Sequence, residues 1–371
     1  MVKWSKVRTL RIVITRAWSA LVVDGVNTFI FELGEALLKM NHEVHIISGC
    51  GYPLHKEKIS YMFDVQKTPE IHILKEGRFM NRFDQVTRWF SHGNTLLKRL
   101  SPQLSIVNGV VPLTYKGPKI VVNHGLKTVG IYPSTQKLYD YFMYRTIGTL
   151  VAVSEPLRRE IGAELGISDV KVIPIGLDVR KYSRLPREQR ELAILHVGTR
   201  PVKNLQSTLK AFMMISKRIP DIKLYVTGGG ANHYREFLVQ SKLMDRIKFV
   251  GIISKRELRA MYSRVMAVSA PSFYEAMSYG ILEAFASGTP VVSSRAMPPE
   301  FLVDGHNGYQ IGSPIDWLAL KSRLLDLLLD RSKWEHMSLN ARATAVNYDI
   351  SKVARAYLDC ACELSNSQYA C

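Results

Sequence analysis

The stretch PSFYEAMSYGILEAFASGTPVVSS, residues 271–294, places two glutamates, Glu275 and Glu283, around the start of one helical pattern, with seven residues between them. The apolar run VMAVSAPS just before it predicts a strand, and PVVSS predicts the next strand. The segment SYGILEAFASG between them predicts a helix that begins near Ser278. Glu275 is therefore expected at the carboxyl end of a strand, and Glu283 in the second turn of the helix.

The same alternation of apolar runs and helical patterns extends over almost the whole chain. Runs such as LRIVIT, EVHIISG, KIVVNHG, LAILHVGT and IKLYVTGGG are continuous rather than alternating, which is typical of parallel strands covered on both faces. A chain of 371 residues is too long for one ordinary core. We therefore predict an α/β fold of two doubly wound, Rossmann-like domains that face each other across a cleft.

One polar stretch, DVRKYSRLPREQRE, interrupts this alternation and has the composition of an interdomain linker. The predicted boundaries are 1–178 for the N-terminal domain, 179–191 for the linker, 192–346 for the C-terminal domain, and 347–371 for a C-terminal helix that packs back on the N-terminal domain.

Composition limits the class of protein and of partner. Apolar residues make up 47% and charged residues 22% of the chain, which is typical of a globular protein. No apolar run reaches the roughly 18 residues of a membrane-spanning helix. The net charge of +18 favours an anionic partner: nucleic acid, an acidic membrane or a phosphorylated small molecule. Nucleic acid is not expected, because no clustered basic segment or recognition motif is found.

Cysteine usage predicts a reducing compartment. The four cysteines are sparse and mostly C-terminal, and Cys360-x-Cys362 lacks a second pair at zinc spacing. We expect neither a disulfide framework nor a cysteine-bound metal, and a cytoplasmic location.

Several residues that could bind an anion or a sugar follow predicted strands. Parallel sheets bind ligands at the carboxyl ends of their strands. Gly25 lies in a strand-to-helix loop, where bare backbone can approach a ligand. His124 follows KIVVN and could contact an oxyanion or a hydroxyl. Arg200 and Lys203 enter a helix together, and two cations beside helix-start amides suit a diphosphate. Each also has an ordinary structural interpretation.

The order and spacing of these motifs resemble the retaining glycosyltransferases of family 4, which have the GT-B fold. The resemblance extends over nearly the whole chain. It rests on the glutamates of the opening stretch with LEA (282–284), GTPVV (288–292), PE (299–300), DGHNGYQIG, VAVSEPLRREI, VIPIGLD and HVGTRPVKN. It implies an enzyme that moves a sugar from a UDP- or GDP-linked donor to a glycan or lipid-linked glycan, and the expected sugar is a hexose. The C-terminal domain would bind the nucleotide sugar and the N-terminal domain the acceptor.

The resemblance also implies roles for matched positions on the donor. Arg200 and Lys203 would neutralise the diphosphate, together with backbone amides near Ile281 and Leu282. Glu283 would bind the ribose hydroxyls of the nucleotide.

Further roles concern the reacting end of the donor and the nucleotide base. Glu275 would bind sugar hydroxyls near the anomeric carbon, and His124 would contact the sugar or the reacting region; these two are the predicted catalytic residues. Gly25 would meet the phosphate or the acceptor, and Ile253 would lie near the base. Ala276 stands where the family usually has glycine, so the donor sugar stays open.

The family is generally independent of metal, and no cofactor or metal is expected. The absence of Asp-x-Asp from the sequence agrees, because that pair holds the metal in the other main glycosyltransferase fold. Alternatives are an inactive relative that binds a glycan or a protein, or another sugar enzyme of the same fold.

The domain expected to bind the acceptor contains two segments rich in basic and aromatic residues, 77–90 and 137–146. Segments of this kind can lie on an anionic membrane, at the inner face of the cytoplasmic membrane, although they can also be ordinary helices packed on the core.

Overall fold

The computed structural model describes residues 9–17, 19–50, 55–75, 87–109, 114–126, 134–144, 149–295 and 297–364. The chain divides into two compact units, each built on one parallel sheet. Of the described residues, the first unit contains those within 9–126, 134–177 and 350–364, and the second contains those within 178–349. The prediction of two doubly wound α/β domains is confirmed.

The first unit has seven strands in the order β3-β2-β1-β4-β5-β6-β7, and every neighbouring pair is parallel. The strands are β1 (Arg11–Arg16), β2 (Glu43–Ser48), β3 (Glu70–Ile73), β4 (Leu104–Asn108), β5 (Lys119–Asn123), β6 (Thr149–Ala152) and β7 (Val170–Val172). The helices are α1 (Gly25–Lys39), α2 (Ile59–Phe63), α3 (Asn94–Leu100, after a π-helical turn at Trp89–Gly93), α4 (Ser134–Tyr144) and α5 (Glu155–Leu165).

The second unit has six strands in the order β10-β9-β8-β11-β12-β13, again all parallel. The strands are β8 (Glu191–Val197), β9 (Lys223–Thr227), β10 (Ile247–Gly251), β11 (Val265–Ala270), β12 (Val291–Ser294) and β13 (Gly308–Ile311). The helices are α6 (Leu205–Arg218), α7 (Arg235–Ser241), α8 (Lys255–Arg264), α9 (Tyr279–Ala286), α10 (Trp317–Leu329) and α11 (Arg331–Val346).

The last helix, α12 (Ile350–Leu364), belongs to the first unit. Its buried face packs on α1, where the Tyr357 and Phe29 rings lie 6.1 Å apart. Cys360 on this helix and Cys50 are buried free thiols. Cys362 is disulfide-bonded, a bond that the sequence does not predict.

Residues 179–191, which the sequence suggests are a linker, instead lie within the second unit. Arg190 explains why. Its guanidinium is buried and donates to the carbonyl oxygens of Val265 (2.9 Å) and Ser287 (2.8 Å) and to the hydroxyl of Thr289 (2.7 Å). It also lies 4.9 Å from the centre of the Trp334 ring. Charged residues that satisfy buried carbonyls look like a solvated linker in the sequence.

The two basic and aromatic segments are described only in part. Residues 77–86 lie outside the described residues, but Trp89 is fully buried and packs with Val13 and Leu97. In α4, by contrast, Leu138, Tyr141 and Phe142 are exposed. None of the described helices is long and apolar enough to cross a membrane.

Candidate active site

The loop after β8 brings the two predicted phosphate ligands to the carboxyl edge of the second sheet. Gly198 has a φ of +92°, a conformation that favours glycine, and the chain then turns through Pro201–Lys203 into α6. Arg200 is exposed and, in the part of the chain that the structure describes, has no ion-pair partner. Lys203 is half-buried. One guanidinium is therefore available to solvent, and one ammonium is held in place.

Lys203 is held by Glu275, the first glutamate of the opening stretch. The Lys203 Nζ forms an ion pair with Glu275 Oε1, and the Ser272 hydroxyl donates to the same oxygen over 2.9 Å. The two backbones are joined as well, because the Phe273 amide donates to the Val202 carbonyl at 2.9 Å. The loops after β8 and β11 are thus held together. Lys203, which is predicted to bind the diphosphate, contacts Glu275, which is predicted to bind the sugar.

A buried histidine that the sequence did not single out supports this loop. His196, near the end of β8, has Nδ1 2.9 Å from the Thr208 hydroxyl and Nε2 3.1 Å from the Gly198 carbonyl oxygen. Burial, assisted by the positive charge of Lys203, lowers the pKa of His196 to about 4. The ring is therefore neutral at pH 7, with Nε2–H donating to Gly198.

The start of α9 lies in the same segment as Glu275. Ser278 is the residue before the helix and makes no side-chain capping bond to it. The first amides of a helix have no partner within it, which leaves those of Gly280 and Ile281 for a ligand. The amide of Leu282 is already used, since it donates to the Ser278 carbonyl at 3.1 Å. The expected contribution of the amides near Ile281 and Leu282 to phosphate binding stays a prediction.

Glu283 is buried one turn further along α9, with 1% of its surface exposed. Its Oε1 accepts from the Lys255 ammonium at 2.9 Å and from the Tyr182 hydroxyl at 3.0 Å. Lys255 is itself buried and lies 5.1 Å from the centre of the Tyr279 ring. Neither Lys255 nor Tyr182 carries a sequence signal, because both come from loops or helix starts distant along the chain. The ribose role of Glu283 stays a prediction.

Two further loops complete the carboxyl edge of this sheet. Gly228, after β9, has a φ of +113°, and a Cβ there would lie 3.1 Å from the Thr199 amide nitrogen. This glycine lets two loops approach closely beside the predicted phosphate loop. Ile253 follows β10 and is half-buried beside Ile252, which is 68% exposed.

In the first unit, Gly25 is exposed and is the first residue of α1. The preceding residue, Asp24, caps the helix by accepting from the Asn27 amide at 2.7 Å. Arg16, the last residue of β1, donates to the Asn27 side chain at 3.0 Å and pairs with Asp24 at 3.3 Å. Gly25 thus lies at a capped helix start, and the Arg16 guanidinium is held by the two neighbouring residues Asp24 and Asn27.

His124 lies after β5, at the same edge of the first sheet. Its Nε2 is 2.7 Å from Asn108 Oδ1, at the end of β4, and its ring meets the Phe29 ring edge-on at 5.5 Å. Burial, with the nearby Arg16 charge, lowers the pKa of His124 to about 3. The imidazole is neutral, and with Nε2–H bonded to Asn108 its Nδ1 keeps a lone pair for a hydroxyl.

The chain matches two family models that together span most of it. Residues 181–344 match "Glycosyl transferases group 1", and residues 23–181 match "Glycosyltransferase Family 4".

Individual proteins agree with the family matches. A D-inositol 3-phosphate glycosyltransferase of Corynebacterium glutamicum is 33% identical over 187 residues, 42% of this chain and 43% of that protein. A phosphatidyl-myo-inositol mannosyltransferase of Mycobacterium tuberculosis is 24% identical over 90% of this chain and 91% of its own length. The solved structure of Anabaena Alr3699/HepE, in complex with UDP-glucose, has a TM-score of 0.77 at 16% identity and covers 95% of this chain and 99% of that chain. The last likeness confirms the GT-B fold.

Proposed function

This chain belongs to the group 1 glycosyltransferases of family 4, and from that premise we propose that it moves a hexose from a UDP- or GDP-linked donor to a glycan or lipid-linked glycan. We propose further that the transfer retains the anomeric configuration and requires no metal. The observation that carries this is the contact of Lys203 with Glu275 in the segment that leads into the start of α9. A cation, a carboxylate and a helix start at one sheet edge suit a donor that is both phosphate and sugar.

The donor diphosphate is stabilised by fixed positive charge. Arg200 and Lys203 supply two cations, and the first amides of α9 supply the partial positive charge of a helix start. These groups stabilise the diphosphate more strongly as the glycosidic bond breaks, because the leaving diphosphate then gains negative charge. UDP-glucose is bound by the HepE protein, and its structure has the same fold.

The proposed transfer needs no separate protein base, because the departing phosphate accepts the proton. The acceptor hydroxyl oxygen forms a bond to the anomeric carbon on the face that the diphosphate leaves, and the bond from that carbon to the phosphate oxygen breaks. The hydroxyl proton passes to the departing phosphate oxygen. Glu275 orients sugar hydroxyls, and neutral His124 bonds a hydroxyl without adding charge.

The donor assignment is tested by thermal-shift and hydrolysis measurements with UDP- and GDP-sugars in the presence of EDTA. Arg200→Ala should weaken nucleotide-sugar binding about tenfold to hundredfold, since a charge-assisted bond contributes about 1.5–3 kcal/mol. Arg218→Ala, at an exposed site at the end of α6, is the matched control and should bind normally. Absence of any response from the folded protein would overturn the proposal and favour an inactive relative.

The acceptor is proposed to be lipid-linked because of α4. Leu138, Tyr141 and Phe142 follow the spacing of one helix face and are 60%, 39% and 55% exposed. An exposed apolar row on a chain with a net charge of +18 suits the surface of an anionic bilayer. The mannosyltransferase relative is named for a phosphatidylinositol substrate.

Membrane binding is tested by flotation with vesicles that contain phosphatidylglycerol or only phosphatidylcholine. The native chain should float with the anionic vesicles at low salt, and the double change Leu138→Ser with Phe142→Ser should reduce this. The matched control replaces two equally exposed apolar residues of the second unit, Val239→Ser with Met244→Ser. Equal flotation of both double variants would contradict the role of α4.

A further inference from the structure

Three metal-binding side chains converge at the edge of the first sheet, away from the predicted substrate site. They are His45 on β2 and Glu70 and His72 on β3. The two strands are parallel with His45 paired to Glu70, and alternate residues of a strand share a face, so His72 joins them. Two of its members, His45 and Glu70, lie toward the amino ends of their strands, whereas His124 follows the carboxyl end of β5.

The spacing of these three groups fits one small cation. His45 Nδ1 lies 3.1 Å from His72 Nε2 and 3.3 Å from a Glu70 oxygen, and His72 Nε2 lies 3.7 Å from the other Glu70 oxygen. Ligands bound to zinc at about 2.1 Å stand about 3.4 Å apart in a tetrahedron. The groups therefore need little movement to share an ion.

The surroundings of His45 supply the second requirement of a zinc site. Its other ring nitrogen, Nε2, lies 2.9 Å from Glu43 Oε1, and Glu43 is itself anchored by Arg11 at 2.9 Å. A carboxylate that accepts the second N–H of a histidine ligand fixes the tautomer and the ring orientation. With Glu43 in that position, the free lone pair of His45 is on Nδ1, facing His72 and Glu70.

We propose that His45, His72 and Glu70 bind a zinc ion, with solvent at the fourth position. His45 is buried and His72 is half-buried, with side-chain exposures of 7% and 18%, whereas Glu70 is 67% exposed and gives the ion access from water. The ion ties the four-residue edge strand β3 to β2. This site departs from the expectation of no metal, which rested on cysteine spacing and on Asp-x-Asp.

The test uses the full chain without a polyhistidine tag, stripped with EDTA and dialysed. Titration with cobalt(II), which reports tetrahedral nitrogen and oxygen ligands by visible absorption, should saturate at one equivalent. His72→Gln and Glu70→Gln should weaken binding at least tenfold, and zinc should raise the melting temperature of the native chain by a few degrees but not that of the variants. Glu70 is exposed, so Glu70→Gln should fold normally even if His72→Gln does not.

Two control variants separate this site from other histidines. His55→Gln changes an exposed histidine of the same unit and should bind cobalt as the native chain does. His336→Gln disrupts the surface pair in which the His306 and His336 rings lie 5.9 Å apart. Loss of the cobalt spectrum in His336→Gln, its survival in Glu70→Gln, or no cobalt binding by the native chain would each overturn the proposal.

Discussion

Lys255 and Glu283 form an ion pair of 2.9 Å whose side chains are only 8% and 1% exposed. The lysine begins α8 and the glutamate lies within α9, so the pair joins two helices beside the predicted donor site. Both charges have left water, and each depends on the other for compensation. Glu283 is thus held in one orientation before any nucleotide arrives.

Removing Lys255 should therefore cost more than removing the pair. Lys255→Met leaves a buried carboxylate without its cation, and we expect the free energy of unfolding to fall by about 3–5 kcal/mol. The double variant with Glu283→Met should lose less than the sum of the two single variants. Urea denaturation of the four proteins gives this coupling, and additive losses would contradict it.

Arg190 is expected to determine the stability of the second unit in a similar way. Arg190→Met keeps an unbranched apolar stem but leaves the carbonyls of Val265 and Ser287 without their donor. We expect a loss of roughly 3–5 kcal/mol in urea denaturation. Arg218→Met, at an exposed position, should change stability by less than about 0.5 kcal/mol. A small effect at Arg190 would mean that residues 179–191 are a linker after all.

The sequence was sufficient for the order of elements and for the edge of each sheet that carries polar residues. Continuous apolar strands predict parallel sheets, and strand ends place His124, Arg200, Lys203 and Glu275. This is so because both inferences depend on local pattern.

Contacts between residues far apart in the chain could not be predicted from the sequence. Tyr182 reaches Glu283 across 101 positions, and no spacing rule connects them. The surroundings of Arg190 are hidden in the sequence for a related reason: the residue is as charged as a surface residue, and only the fold shows the carbonyls that it satisfies. The His45 cluster escaped notice because its ligands come from two strands rather than from one short motif.

His196 predicts how stability depends on pH. The unfolded chain binds a proton at this residue near the ordinary pKa of 6.5, whereas the folded chain takes it up only near 4. Its contribution to the free energy of unfolding is therefore complete above pH 6.5 and declines as the pH falls toward 4, by on the order of 3 kcal/mol. This decline should be absent in His196→Gln. The free energy of unfolding, measured by urea denaturation at several pH values between 7 and 4 (roughly the span of the shift), should therefore fall less steeply with decreasing pH in the variant than in the native chain. Parallel curves would contradict the assignment.

The Lys203–Glu275 contact predicts opposite effects of one substitution on binding and on transfer. In the free chain Glu275 pairs with Lys203 and would therefore compete with the proposed diphosphate for it. Glu275→Gln removes the competing charge, so the nucleoside diphosphate alone should bind about two- to fivefold more tightly, a gain of about 0.5–1 kcal/mol for a partly exposed pair.

Transfer should change in the other direction. The same variant loses the carboxylate that we propose orients the sugar hydroxyls, and we expect turnover to fall about a hundredfold or more. Titration calorimetry with UDP and GDP, beside a transfer assay, measures the two effects. Ser272→Ala, which removes only the hydroxyl that bonds Glu275 at 2.9 Å, should shift both quantities less. Weaker diphosphate binding by Glu275→Gln would show that Glu275 positions Lys203 for the phosphate rather than competing with it.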